Sequence, residues 1–409
     1  MRHAGRRHLV LALASVGALV LVACTPKVTP GPAASTPTTT TTTTSGTPAP
    51  PASASGCAGA ATATQARPVE YVAVVDTPGP GAPDVVTFRV TSLAEKNAKL
   101  ADLSREGSVV AVSPEQPVSS LVTPSDDPSY LQQWGLANAG FPAAWANGED
   151  GTGETIAVID TGVDATHEDL AGKVLQGFDF TVVDQTVSNY GRIDFNGHGT
   201  HVAGIAAATD NTLGGVGGAP GASILPVRVL SASGSGWTSD VVSGIYWAAD
   251  HGANVISMSL GGSSCGSAEH AAVAYAKAHG VVVVAAAGNN GTNVPIYPAG
   301  FDDSVIAVGA TTQANAKASF SNWGTPYVDI GAPGSEILST YHGGYANLSG
   351  TSMATPFVAA AAALVLEQCP GLTPSQVQTR LMSSASPVIS GLGASLVQAG
   401  AATNPALGC

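Results

Sequence analysis

Basic residues are scarce: the 409-residue chain carries 15 Lys and Arg against 28 Asp and Glu, a formal net charge of −13 with histidine neutral. No basic groove can be built to follow phosphates, which excludes nucleic acid as a partner and fits an acidic, soluble, exported protein. The five cysteines show no zinc-type spacing. No internal repeat is present, which excludes a solenoid or propeller. A single Asp-Thr-Gly occurs, at Asp160, and neither a second copy nor an Asp-Ser-Gly. Aspartic-protease chemistry needs two such carboxylates and is excluded. His198 and His201 stand three apart without a nearby acidic third ligand, so metal catalysis is not expected.

The longest apolar run near the start, Leu9 to Val22, is too short to span a bilayer and follows Arg2, Arg6 and Arg7. It reads as a signal peptide over residues 1–23, with Sec and twin-arginine export both open. Leu21-Val22-Ala23-Cys24 resembles a bacterial lipobox, which makes Cys24 the expected lipidation site and the membrane the expected anchorage. Residues 24–56 form a Thr/Pro/Ala tract that cannot bury a core. An extended stalk, open to glycosylation, is the reading. Beyond Cys24 the cysteines are Cys57, Cys265, Cys369 and Cys409. They permit three pairings, of which Cys369 with Cys409 is favoured because both lie in the C-terminal segment.

Residues 66–122 alternate strand-like and helix-like patterns: Val69 to Val75, Val85 to Val90 and Ser108 to Val112 as strands, Ser92 to Ser104 as a helix. A small α+β domain is expected. Thr123 to Ser129 is a polar, turn-rich boundary suited to cleavage. From Tyr130 to Cys409 short apolar runs (Thr155 to Asp160, Ser223 to Leu230, Asn254 to Leu260, Val281 to Ala287, Val305 to Ala310) alternate with Ala-rich helical stretches (Gly199 to Ala208, Ser239 to His251, Ser267 to His279, Thr351 to Gln368). The expectation is an α/β fold, a mainly parallel doubly wound sheet between two helical layers.

Three motifs end such strands or open such helices, where open α/β sheets place their ligands. Asp160 closes Ala157-Val-Ile-Asp, His198 stands in Asn196-Gly-His-Gly-Thr-His201, and Ser352 stands in Gly350-Thr-Ser-Met-Ala-Thr-Pro356, with the proline expected in the helix's first turn. A serine hydroxyl is a poor nucleophile near neutrality. It needs an imidazole to take its proton and a carboxylate to fix that imidazole's tautomer. These residues supply all three roles.

In this chain order the motifs resemble the subtilisin-like serine proteases. The resemblance covers Tyr130 to about Ser384 and implies peptide-bond hydrolysis through an acyl-enzyme, without a catalytic cofactor. It implies Asn289, in Gly288-Asn-Asn-Gly291 after an apolar strand, as oxyanion donor beside the Ser352 backbone N–H. It implies substrate held in extended form between Ser259-Leu260-Gly261 and Gly234-Ser235-Gly236, with Ile296 making the primary pocket shallow and apolar. Residues 66–122, Glu106 to Pro117 especially, resemble the family's inhibitory propeptides. That implies a ferredoxin-like domain that inhibits the enzyme until self-cleavage near residues 123–129. A structural calcium is implied at Asp169 and Asn211, completed by Gln132 or Gln133 and the carbonyls of Thr209, Leu213 and Gly215. The protein is expected to act as a monomer outside the cell membrane, tethered or released.

Overall fold

The computed structural model describes residues 69–77, 83–114, 124–181 and 191–409. The signal peptide, Cys24, the stalk and Cys57 lie outside them. Among the described residues no helix is long and apolar enough to cross a membrane. The chain divides into two compact units, with a boundary between Val122 and Thr123.

The smaller unit has strands β1 (Val69–Asp76), β2 (Asp84–Val90) and β3 (Ser108–Pro114), with helix α1 (Leu93–Glu106) between the last two. The sheet order is β2-β1-β3, antiparallel throughout. Ser92 caps α1 by accepting the Glu95 N–H, while the Glu95 carboxylate takes the Thr91 N–H. Ala73, Val75, Phe88, Val90 and Leu103 form the core. The described residues hold only these three strands and one helix of the expected ferredoxin-like domain, because β1 and β2 pair directly as antiparallel neighbours.

The larger unit opens with short helices α2 (Trp134–Asn138) and α3 (Phe141–Ala146), then runs β4 (Thr155–Asp160), β5 (Phe178–Asp179), α4 (His198–Ala207), β6 (Ser223–Arg228), α5 (Thr238–Asp250), β7 (Val255–Met258), α6 (Ser267–Ala278), β8 (Val282–Ala286) and β9 (Ile306–Thr311). There follow β10 (Ile330–Pro333), the hairpin β11 (Ile337–Tyr341) and β12 (Gly344–Leu348), α7 (Thr351–Gln368), α8 (Pro374–Ser384), β13 (Ser395–Leu396) and α9 (Ala399–Ala402). Eight strands form one sheet in the order β13-β10-β9-β8-β7-β4-β6-β5, each pair parallel. Along β4, Ile156 and Val158 join the core under α4 and α7, while Ala157 and Ile159 join the core under α5 and α6. This period of two, apolar on both sides, is why the strand reads as a continuous hydrophobic run. The expected three-layer arrangement is present.

Differences from the sequence reading are local. β6 ends at Arg228 rather than Leu230, because the Val229 and Leu230 N–H groups both turn back onto the Asp160 carbonyl, at 2.9 and 3.1 Å. Pro356 lies beyond the first turn of α7. Ser125 and Asp127 are buried in the larger unit, Ser125 donating to Asp210 at 2.8 Å and Ser129 N–H to Gly214 at 2.7 Å. The segment 125–129 is therefore part of this unit's packing and is no exposed linker. Cys369 and Cys409 form a disulfide with their Cα atoms 5.5 Å apart, and Cys265 is also disulfide-bonded.

Candidate active site

β4 lies between β6 on one side and β7 on the other, so the chain crosses from one side of β4 to the other between these two strands. The crevice at such a switch point is where a doubly wound sheet can seat a ligand. Asp160 is the last residue of β4, at that crevice. α4 begins at His198 immediately after Gly197, whose φ of 96° is left-handed and whose added Cβ would lie 2.5 Å from the Tyr341 ring. Only glycine lets the chain turn there and deliver the imidazole to the strand end.

His198 Nδ1 lies 2.8 Å from Asp160 Oδ1 and 3.0 Å from Oδ2. Asp160 is fully buried, while the His198 side chain keeps 26% of its exposure. Nδ1–H donation to the carboxylate leaves Nε2 with its lone pair toward the cleft, the form a general base needs. Burial by itself pushes the His198 pKa down, but the charge and hydrogen bond of Asp160, with the charge of Asp194, outweigh it and the net shift is upward.

The sequence reading did not single out Asp194, which organises this corner. Its Oδ1 accepts from Thr161 Oγ1 and from the Asn196 and Gly197 N–H groups, each at 2.9 Å. Its Oδ2 accepts from Thr200 N–H at 2.9 Å and Thr200 Oγ1 at 2.7 Å. One buried carboxylate thus binds the turn before His198 to the first turn of α4 and to the residue after Asp160. An aspartate two and three residues before N–H groups that open a helix is the signal that could have found it.

Ser352 is the second residue of α7. Its hydroxyl donates to the Ser259 carbonyl at 3.1 Å, and among the described residues no hydrogen bond joins it to His198. Pro356 has no N–H, so the Ser352 carbonyl, four residues earlier, lacks its helical partner. Ser259 Oγ takes that place, donating to it at 2.7 Å. Ser259 lines the cleft, and its hydroxyl pins the backbone of Ser352.

Asn289 follows β8 at the same edge. Its Oδ1 accepts from Thr351 N–H at 2.8 Å and from Thr351 Oγ1 at 3.0 Å, which turns Nδ2 away from Thr351. A methyl group built on Gly350 would lie 3.4 Å from Asn289 Nδ2, 3.5 Å from Ser352 N and 3.7 Å from Ser352 Cβ. Two nitrogens that carry N–H groups thus lie close to one point beside the serine side chain. Such a pair can receive a developing oxyanion.

A cleft of 860 Å³ runs through His198, Ser352 and Asn289, and Gly234, Ser235, Gly236, Ser259, Leu260, Gly261 and Ile296 all line it. Gly261 and Gly288 would each place a Cβ against Ile296 Cδ1, at 2.6 and 3.0 Å, so this side chain fills the space between them. That agrees with a shallow pocket. Elsewhere the cleft is not wholly apolar, since its lining includes Glu269 from the first turn of α6.

Away from the cleft, Asp169 and Asn211 do approach one loop region, but the Gln expectation needs correction. Gln133 spends its amide on Val216, accepting its N–H at 3.0 Å and donating to its carbonyl at 2.9 Å, and Gln132 is exposed. The carboxylate beside Asn211 is that of Asp127, whose Oδ1 accepts the Asn211 N–H at 3.1 Å. Asp127 Oδ2 and Asp169 Oδ1 are buried without a hydrogen-bond partner. Burial, and then the charges of Asp210 and Asp169, raise the Asp127 pKa despite the Asn211 hydrogen bond. The Asn211 side chain itself caps the Leu213 N–H at 2.8 Å. Hard oxygen donors with unmet lone pairs fit a calcium ion.

His201 is buried within α4. Its Nε2 lies 2.9 Å from the Ala346 carbonyl, and burial lowers its pKa to about 4. Because its folded pKa lies below the ordinary histidine value of about 6.5, its contribution to stability is complete above that value and is lost as pH falls toward 4. NMR titration should therefore show the His198 imidazole with a midpoint above 6.5 and His201 neutral down to about 4. Asp194→Asn should move the His198 midpoint down; an unchanged midpoint would show that Asp194 does not act on the imidazole.

The profile of the subtilase family (Peptidase_S8) matches residues 151–405. Thermitase of Thermoactinomyces vulgaris is 50% identical over 273 residues, covering 66% of this chain and 94% of that protein. Subtilisin Savinase of Lederbergia lenta is 44% identical over 273 residues, covering 66% and 98%. Among solved structures, a protease from Pseudoalteromonas arctica PAMC 21717 aligns with a TM-score of 0.63 at 33% identity, over 69% of this chain and 100% of that one. A cold-adapted subtilisin-like serine proteinase aligns with a TM-score of 0.56 at 43% identity, over 61% and 89%. Likeness at this level over nearly the whole length of these relatives means that the chain belongs to the subtilase family, the serine endopeptidases of the S8 class.

Proposed function

We propose that this peptidase works through Ser352 as nucleophile, His198 as general base and Asp160 as the group that orients His198. The carrying observation is that a buried carboxylate holds His198 Nδ1 at 2.8 Å, in the cleft that Asn289 and Ser352 also line. Ser352 Oγ attacks the scissile carbonyl carbon as its proton passes to His198 Nε2. The carbonyl oxygen becomes an oxyanion facing Asn289 Nδ2 and the Ser352 N–H. His198 then gives the proton to the departing amine, leaving an acyl-serine. Water, deprotonated by His198, releases the acid and restores the hydroxyl.

The setting follows from the same reading. The N-terminal sequence supports export, with Cys24 lipidated and the Thr/Pro stalk holding the enzyme off the membrane. The unit of 69–114, separated from the larger one at Val122–Thr123, is read as an inhibitory propeptide that Ser352 removes. Since residues from Ser125 onward are packed into the peptidase unit, the cut belongs before Ser125. Calcium, when bound by Asp127 and Asp169 with neighbouring carbonyls, supplies positive charge that joins the N-terminal segment to the loop at 209–215 and takes no part in hydrolysis.

Labelling by a fluorophosphonate should occur on the mature protein and vanish in Ser352→Ala, which should also stay unprocessed when made alone. Asn289→Ala should lower kcat by about two to three orders of magnitude with little change in KM. Labelling of Ser352→Ala at the level of the unsubstituted protein would overturn the mechanism. Chelation should lower the thermal midpoint, and Asp127→Asn should remove the difference between calcium-loaded and chelated protein. Equal midpoints with and without chelator would dismiss the calcium. Membrane fractionation of Cys24→Ser should find the protein released; retention at the original level would dismiss the anchor.

A further inference from the structure

α6 turns Glu269, Ala272, Val273 and Ala276 inward, an i, i+3, i+4, i+7 stripe in which one position is an acid. α5 turns Val241, Gly244, Ile245 and Ala248 inward, and the two helices pack against each other. Both follow strands of one parallel sheet, so their first turns lie at its carboxyl edge, where the catalytic cleft opens. Val241 and Glu269 are the first buried positions of their helices and both line that cleft, with Leu260 on the strand end and Trp237 at the start of α5. Trp237 is 77% exposed, whereas Glu269 is 6% exposed.

A buried carboxylate normally has a partner. Among the described residues Glu269 makes no side-chain hydrogen bond or ion pair, and the cations nearby in the fold are taken. Arg228 is paired with Asp179 at 3.1 Å, His270 with Asp303 at 2.9 Å, and Lys277 donates to the Asp303 carbonyl. The charged residue in the first turn of α5, Asp240, is itself acidic. Packing alone would be met by leucine at this position.

We infer that Glu269 is the floor of a second specificity subsite, one that takes a Lys or Arg side chain of the peptide substrate. On the peptidase reading the extended substrate runs between the walls 259–261 and 234–236, and the subsite opens beside that run at Leu260 and Trp237. It is distinct from the pocket filled by Ile296. Leu260, Val241 and Trp237 supply apolar walls for the methylene stem, and the carboxylate meets the cationic tip. Burial pushes the Glu269 pKa up to about 7, so the acid is partly protonated at neutral pH and fully ionised above it. Preference for a basic side chain should therefore strengthen as pH rises through 7. The inference rests on the peptidase reading for which part of the substrate lies there.

The test is a peptide series varied one position at a time over the residues flanking the cut, comparing Lys with its neutral isostere norleucine. For the unsubstituted enzyme at pH 8.5 the ratio of kcat/KM values should favour Lys by on the order of tenfold to a hundredfold at one position. It should shrink at pH 6. Glu269→Gln should bring the ratio near one, and Glu269→Leu should turn it toward norleucine. Binding of the same uncleaved peptides to Ser352→Ala protein reads the subsite without catalysis. If hydrolysis failed while that binding preference stood, the peptidase mechanism would fall and the subsite would remain. A ratio near one at every position, or a Lys preference that survives Glu269→Gln, would overturn the subsite.

Discussion

Everything at the active edge is arranged around a carboxylate with no exposure to water. Asp160 ends the central strand fully buried, and a buried charge persists only where hydrogen bonds and an opposite dipole or charge meet it. His198 and the Thr161 N–H supply these, the latter at 2.7 Å. For the imidazole to reach that depth, α4 must start against the strand end. A Cβ on Gly199 would sit 2.1 Å from the Gly162 carbonyl, so the glycine after the histidine is a packing requirement. Asp194 then ties both sides of the junction together, through Thr161 on one side and Thr200 on the other. Removing one carboxylate would loosen the other's partner, so the two acids should behave as a coupled unit in double-mutant cycles.

The serine side of the site depends on a different compensation. A proline inside α7 frees one carbonyl, and that carbonyl belongs to Ser352. Ser259 on the substrate strand claims it, while the Ser259 carbonyl accepts the Ser352 hydroxyl. On the proposed mechanism the nucleophile is thereby positioned by the segment that also lines the substrate cleft. On the other flank Thr351 fixes the Asn289 amide, so neighbouring residues on one helix hold the nucleophile and orient the oxyanion donor. Preorganisation here is built from backbone defects and short hydroxyls, with few long side chains to immobilise.

Strands β4, β6, β7, β8 and β9 and helices α4 to α7 were legible because segments such as Ile156 to Asp160, Val282 to Ala286 and the Ala-rich α7 carry uninterrupted patterns. β10, Ile330-Gly-Ala-Pro333, was not, since a glycine and a proline in four residues read as a turn until tertiary pairing with β9 overrides them. Asp160, His198, Ser352 and Asn289 stood out because their chemistry needs local motifs at element ends. Asp194 and Thr351 act through contacts that their own surroundings in sequence barely mark. Asp127 was hidden for the same reason: its partner Asn211 is 84 residues away, and a glutamine nearer the fold's first helix offered a plausible oxygen. Glu269 was concealed by its helix, where an acid among alanines passes for a solvated residue unless the burial of that face is known.

The placement of Asp127 also bears on how far the proposed maturation could trim the chain. Residues 125–130 are held by Ser125 to Asp210, by Asp127 to Asn211 and by Ser129 to Gly214, so this segment is a structural part of the peptidase unit. A cut after Ser125 would separate the Ser125–Asp210 contact from Asp127 and place Asp127 beside a new chain end, where only its bond to the Asn211 N–H holds it. The penalty for exposing or orphaning such groups is of the order of 1–3 kcal/mol each. Cleavage before Ser125 keeps them all. The loop that anchors this segment, 209–215, leaves the C-terminal end of α4, the helix that begins with His198. N-terminal docking and imidazole placement thus load the two ends of one helix, and a cut that spares the first also spares the second.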